Sequence, residues 1–248
     1  MTMSPSGASL KKGLIFVHRW MGVCFCLLFL LWFTSGMAMM YWDYPEVTRA
    51  DRLARGAELD GARIRISPED AFSRLQSSEP PDRVRLNMFD GRPVYRFDFR
   101  GDQAMVDADD GERQSEFPPA TTLRIAAAWA GRPPEEAKEQ DNLVEDQWTV
   151  SGEFQELRPI REYAWADGQE VYVSTVTGEV VQHTTRTSRL GAYIGPIPHW
   201  LYFTPLRRRA ELWSSVVIWA SGLATGIALL GSSSAFGCTR QQSRSAMV

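Results

Sequence analysis

Histidine and cysteine are scarce in this 248-residue chain, and their positions exclude several kinds of chemistry. The histidines are His18, His183 and His199, so no histidine lies between residues 19 and 182. A Ser-His-Asp or Cys-His hydrolytic site cannot be built within most of the chain, and a histidine-rich zinc motif is absent. The cysteines are Cys24, Cys26 and Cys238, and the segment 43–206 has none. It therefore holds no disulfide framework and no thiolate metal cluster. Cys24 and Cys26 stand two apart in an apolar run, off a common helix face, and read as small residues tolerated in a helix.

Charge is also absent over two long stretches. Residues 21–40 contain no Asp, Glu, Lys, Arg or His, and twenty residues at about 1.5 Å each match a hydrocarbon core of roughly 30 Å. Residues 212–231 form a second uncharged run of the same length, richer in Gly, Ser and Ala. The expectation is two transmembrane helices, over 14–41 and 210–232, with short tails at 1–13 and 233–248 and a large loop between them. A cleavable signal peptide is the rival for the first run, since Gly36-Met37-Ala38 offers small residues at a suitable spacing. The run is longer than an ordinary signal core, which favours retention. A lipoprotein site fails at Met21-Gly22-Val23-Cys24, where no small residue stands next to the cysteine.

Segment 43–206 holds 29 of the 30 acidic side chains and 19 of the 27 basic ones, a net charge of −10. The basic surplus flanks the apolar runs: Lys11, Lys12 and Arg19 before the first, Arg207, Arg208 and Arg209 before the second. This is no nucleic-acid footprint. The positive-inside rule places both termini in the cytoplasm and the loop across the membrane, with the three arginines at 207–209 running against that order.

Within the loop, a linker at 42–66 precedes two similar blocks. In the first, 67–117, Ser67-Pro68-Glu69-Asp70 is a helix start, with a serine cap and proline at the first helical position. Strands follow around the turn dipeptide Asp90-Gly91, with a third at 104–107. In the second, 118–190, Thr121-Thr122 is expected to cap a helix ending at Gly131. Strands are expected at 147–150 and 161–165 and on either side of Asp167-Gly168 and Thr177-Gly178. Val94-Tyr95-Arg96-Phe97 followed by Asp109-Asp110-Gly111-Glu112 parallels Val171-Tyr172-Val173-Ser174 followed by Thr177-Gly178-Glu179-Val180. The fold class is therefore α+β: tandem units of helix plus small antiparallel sheet.

That order of capped helix, strand, Val-Tyr strand and Thr-Gly-Glu-Val turn resembles the PepSY domain. The flanking His18-Arg19-Trp20-Met21-Gly22 and Pro198-His199-Trp200-Leu201-Tyr202 look like those of PepSY-associated transmembrane proteins of bacterial inner membranes. The resemblance covers about 14–231 and implies a periplasmic interaction domain, serving peptidase control or envelope and metal-uptake machinery. Its partners would be the lipid bilayer, another membrane or periplasmic protein, or a second copy of the chain, with no nucleic acid. Some members are haem-containing reductases of iron–siderophore complexes, which would make His18 and His199 axial ligands of haem b. Members often carry four membrane helices, so the ending Ser232-Ser233-Ser234-Ala235-Phe236-Gly237-Cys238 implies a shortened or frame-shifted terminus.

The residues themselves weigh against a shared haem. The outer end of the first helix lies about 33 Å from His18, and His199 precedes the second helix on that outer side. The plainer reading makes both histidines interface anchors beside Trp20, Trp200 and Tyr202. His183 is expected to be exposed at a strand end. Asp107, Asp109, Asp110 and Glu112 miss the spacing of a calcium loop, in which glycine is sixth and glutamate twelfth. Ser221, Gly222, Thr225 and Gly226 form a small-residue face suited to contact with the first helix or another chain.

Overall fold

The computed structural model describes residues 5–143 and 145–245, with side chains at residue 16 and over 19–139 and 145–228. It divides into two compact units, 1–43 with 191–248, and 44–190.

In the first unit, α1 (Pro5–Ala38) contains the stretch Arg19–Ala38, mean hydropathy 2.0 and almost wholly exposed. Among the described residues this is the one stretch long and apolar enough to cross a membrane. α6 (Pro196–Trp200) packs against α1, and α7 (Thr204–Arg207) leads into α8 (Ala210–Ser245). The second uncharged run lies inside α8, and its end at 229–231 falls outside the described side chains.

The second unit opens with α2 (Arg49–Arg55), inside the expected linker. Its signal is a capping box: Thr48 Oγ1 accepts from Asp51 N–H, and the Asp51 carboxylate accepts from Thr48 N–H at 2.9 Å. α3 (Pro68–Ser73) starts where Ser67 accepts from Asp70 N–H. A four-stranded antiparallel sheet follows, in the order β1 (Arg83–Phe89), β2 (Arg92–Phe99), β3 (Asp102–Asp107), β4 (Arg113–Gln114). α4 (Pro119–Ala130) then leads to a second, ordered β5 (Lys138–Leu143), β6 (Ile160–Ala164), β7 (Glu170–Ser174), β8 (Val180–Thr184). α5 (Arg186–Ile194) starts in this unit and runs past its last residue, Leu190.

Two local expectations are corrected. α4 starts at Pro119 and takes no side-chain cap; Thr122 Oγ1 instead meets Tyr163 Oη at 2.7 Å in the core. Gly131 does end the helix, at φ 64°. Residues 147–149 form a turn and 150 is not strand, because Asp146 Oδ1 accepts the N–H groups of Trp148 and Thr149 and removes them from any ladder. The strand lies earlier, at β5.

The internal repeat is real, in a different register from the one its letters imply. Asp90-Gly91 matches Asp167-Gly168, Val94-Tyr95 matches Val171-Tyr172, and Gly101 matches Gly178. The four glycines share positive φ (79°, 88°, 75° and 68°), although the turns around them differ: Asp90 also has positive φ, at 46°, and Asp167 does not. The meander β1-β2-β3 thus corresponds to β6-β7-β8, and Thr177-Gly178-Glu179 corresponds to Arg100-Gly101-Asp102.

The helices break the repeat. Ala71 of α3 packs with Tyr95, Phe97 and Val106, whereas Ala126, Ala127 and Ala130 of α4 pack with Tyr163, Val171 and Val173. Side chains alternate faces along a strand, so α3 and α4 cover opposite faces of equivalent strands.

Candidate functional site

His199 lies in the last turn of α6, which begins at Pro196 and is stopped by Leu201 at φ 53°. Proline at the first helical position costs no hydrogen bond, because that N–H has no acceptor within the helix. The His199 ring rests on α1 at Gly36: a Cβ there would stand 3.1 Å from Cε1 and 3.4 Å from Nδ1. Nδ1 is 3.1 Å from the Trp32 carbonyl oxygen and 3.3 Å from Ser35 Oγ. The carbonyl can only accept, so Nδ1 carries the proton and donates to it. Ser35, 2 % exposed, donates its own hydroxyl proton to the Leu31 carbonyl at 2.6 Å and offers Nδ1 a second acceptor. The tautomer is thereby fixed, and Nε2 is left with a bare lone pair and no partner among the described residues.

His199 is one of the residues that line a cavity of about 540 Å³. Trp32, Trp200, Tyr202 and Trp213 provide its walls, and His199 and Ser221 its side-chain polar atoms other than those of the Trp and Tyr rings. Trp213 Nε1 donates to the Trp200 carbonyl at 3.0 Å, which fixes that wall. The Arg207 guanidinium stacks 5.0 Å from the Tyr202 ring and 4.7 Å from that of Trp213. Cation–π attraction holds the arginine there.

Comparison with family models, with curated proteins and with solved structures gave no match to this chain. The reading of the site therefore rests on its geometry.

His18 belongs to α1, and its side chain lies outside the described residues. It precedes Trp32 by fourteen residues, roughly 21 Å along the helix at about 1.5 Å per residue. His18 and His199 consequently do not fit the two faces of one haem. His199 alone fits one axial position, because its bare Nε2 and its held Nδ1–H are what such a ligand requires. Of the small-residue face, Ser221 borders the cavity, and Thr225 Oγ1 donates to the Ser221 carbonyl at 2.8 Å. A Cβ at Gly222 or Gly226 would meet nothing within 4 Å, and the buried small residue of α8 in this stretch is Ala224.

His183 is half-buried in the second unit, not exposed. Nε2 stands 3.1 Å from Gln169 Oε1, and the ring meets Trp129 edge-on at 6.5 Å. Burial, then the charge of Arg55, holds its pKa below the ordinary histidine value. The carboxylates of Asp107, Asp110 and Glu112 converge, as a cation site requires. Arg92 already reaches into them, with Nη1 on Asp107 and Nη2 2.6 Å from Asp110.

Sequence reasoning singled out His199 and missed the groups that orient it, Trp32, Ser35 and Gly36. Their signal was the small pair Ser35-Gly36 inside a run of bulky residues, which also reads as part of a signal-peptidase site.

Proposed function

We propose that this chain is an inner-membrane protein that crosses the bilayer twice, through α1 and α8, and displays an acidic tandem PepSY-like domain in the periplasm for protein interaction. The observation that carries the reading is the repeated meander, with its matched Asp-Gly and glycine turns, set between two helices that contain long uncharged runs. The module offers β1, a seven-residue edge strand with Val84 exposed, to which an extended peptide can add. Service to a peptidase or to envelope and metal-uptake machinery follows from the PepSY resemblance.

The test is topological. An alkaline phosphatase fused after residue 120 is expected to be active, fusions at either terminus inactive, and the chain to stay in the pellet in alkaline carbonate. A phosphatase inactive at residue 120, or a protein released by carbonate, overturns the reading.

The bare Nε2 of His199 favours a second reading, a haem b component of ferric-siderophore reduction. It needs a further histidine, from later membrane helices or from another subunit. A Soret band in purified protein, lost in His199→Ala, is its expected signature.

A further inference from the structure

We propose that the cavity beside His199 binds the ring of a lipid-soluble quinol, held by a hydrogen bond from a ring hydroxyl to Nε2. The inference rests on the membrane reading above, which supplies the bilayer from which such a ligand arrives.

Each property of the ligand follows from a property of the cavity. At about 540 Å³ the space has the size of a small-molecule site, too small for a folded partner. Its walls are the four rings of Trp32, Trp200, Tyr202 and Trp213, which favour a planar ring by stacking or edge-to-face contact. The lining is mainly apolar, with Leu201 and Val217 beside the rings, so the ligand is more soluble in lipid than in water.

Polarity selects the ring's substituent. Because Nδ1–H is committed to the Trp32 carbonyl, Nε2 can only accept, and it needs a donor from the ligand. Ser221, at the border of the same cavity, can donate to or accept from a second ring oxygen. An aromatic cage could also take an ammonium group, such as a lipid headgroup carries. Arg207 opposes that choice. Its guanidinium already stacks on Tyr202 and Trp213, and a second cation beside the same two rings would be repelled. A neutral ring with weakly acidic hydroxyls is favoured by the same positive charge.

The experiment is calorimetric titration of the full chain, in detergent and in lipid nanodiscs, with decylubiquinol and with its dimethyl ether. The ether keeps ring and tail and loses both donors. Saturable binding of the quinol is expected, weakened about tenfold for the ether and by a similar factor in His199→Phe, as loss of one hydrogen bond to a committed acceptor implies. Equal binding of quinol and ether, or signals that scale only with detergent, overturns the proposal. So does a Soret band lost in His199→Ala, which gives the nitrogen to haem. The ether comparison uses the unaltered chain and decides the matter even where His199→Phe fails to fold. Release by carbonate would sink the membrane reading separately, while the detergent titration still reports on the cavity.

Discussion

Arg96 of β2 and Glu179 of the β7–β8 turn form an ion pair between the two repeats, with Nε 3.6 Å from Oε1 and the arginine side chain 1 % exposed. Arg96 also donates to the Thr177 carbonyl at 2.6 Å, and Arg85 reaches Glu179 at 2.8 Å. Burial raises the pKa of Glu179, and the charges of Arg96 and Arg85 overcome it, leaving the carboxyl below its ordinary value. Val173 takes the place of Arg96 in the second repeat. The pair therefore joins the copies through a residue in which they differ.

Removing Glu179 leaves Arg96 buried without its counter-ion, whereas removing Arg96 leaves Glu179 paired with Arg85. Glu179→Ala is expected to cost about 3 kcal/mol and Arg96→Val less, and the double change Arg96→Val with Glu179→Gln to recover part of the larger loss. Thermal melts of the full chain in detergent measure both. Because the folded pKa of Glu179 is lowered, its stabilisation is present above the ordinary glutamate value and is lost as pH falls through the folded one.

Glu162 predicts the opposite dependence. It is 6 % exposed, and its carboxyl group has no hydrogen bond or ion pair among the described residues. Its pKa is pushed up to about 7, first by burial, then by Glu170 and Asp146. The folded chain thus holds this proton more tightly than the unfolded chain does. Stability is lost as pH rises between the ordinary glutamate value and about 7, and the penalty stays constant above that. Glu162→Gln should stabilise the fold at pH 8 by on the order of 1–3 kcal/mol, read as a higher melting temperature, and change it little at pH 5. An equal effect at both pH values would show that the carboxyl does not titrate in this range.

The matched turn glycines give a controlled comparison. A Cβ at Gly178 would stand 2.6 Å from the Phe117 ring, whereas at Gly101 the nearest atom is 3.9 Å away. Both positions have positive φ, so both alanine variants carry backbone strain of about 1 kcal/mol. Gly178→Ala adds overpacking of about 1–3 kcal/mol. Urea midpoints should fall clearly further for Gly178→Ala than for Gly101→Ala.

At the cavity, the 15N spectrum of His199 should show the tautomer protonated at Nδ1. Gly36→Val adds three side-chain carbons, the first of them against the ring, and should lift Nδ1 from the Trp32 carbonyl, mixing the tautomers. A spectrum unchanged in Gly36→Val would contradict the packing of His199 on α1.

Much of this architecture was legible locally. Ser67-Pro68, Asp90-Gly91, Asp167-Gly168 and Gly131 each fix a helix end or a turn, because capping and positive φ depend on the residue and its nearest neighbours. The uncharged run in α1 declares a membrane-length helix by composition alone. β5 was not legible: Lys138, Glu139 and Gln140 have no apolar alternation and are strand only because β6 offers them a ladder.

By itself, then, the sequence determined the α+β class, the doubled meander and the apolar character of α1, since these depend on residues adjacent in the chain. Only the tertiary structure decided that α3 and α4 cover opposite faces of equivalent strands, that Arg96 finds Glu179, and that His199 donates its Nδ1–H to a carbonyl of α1. Those relationships join residues up to 167 positions apart, and no local propensity encodes which distant group a buried charge or ring nitrogen will meet.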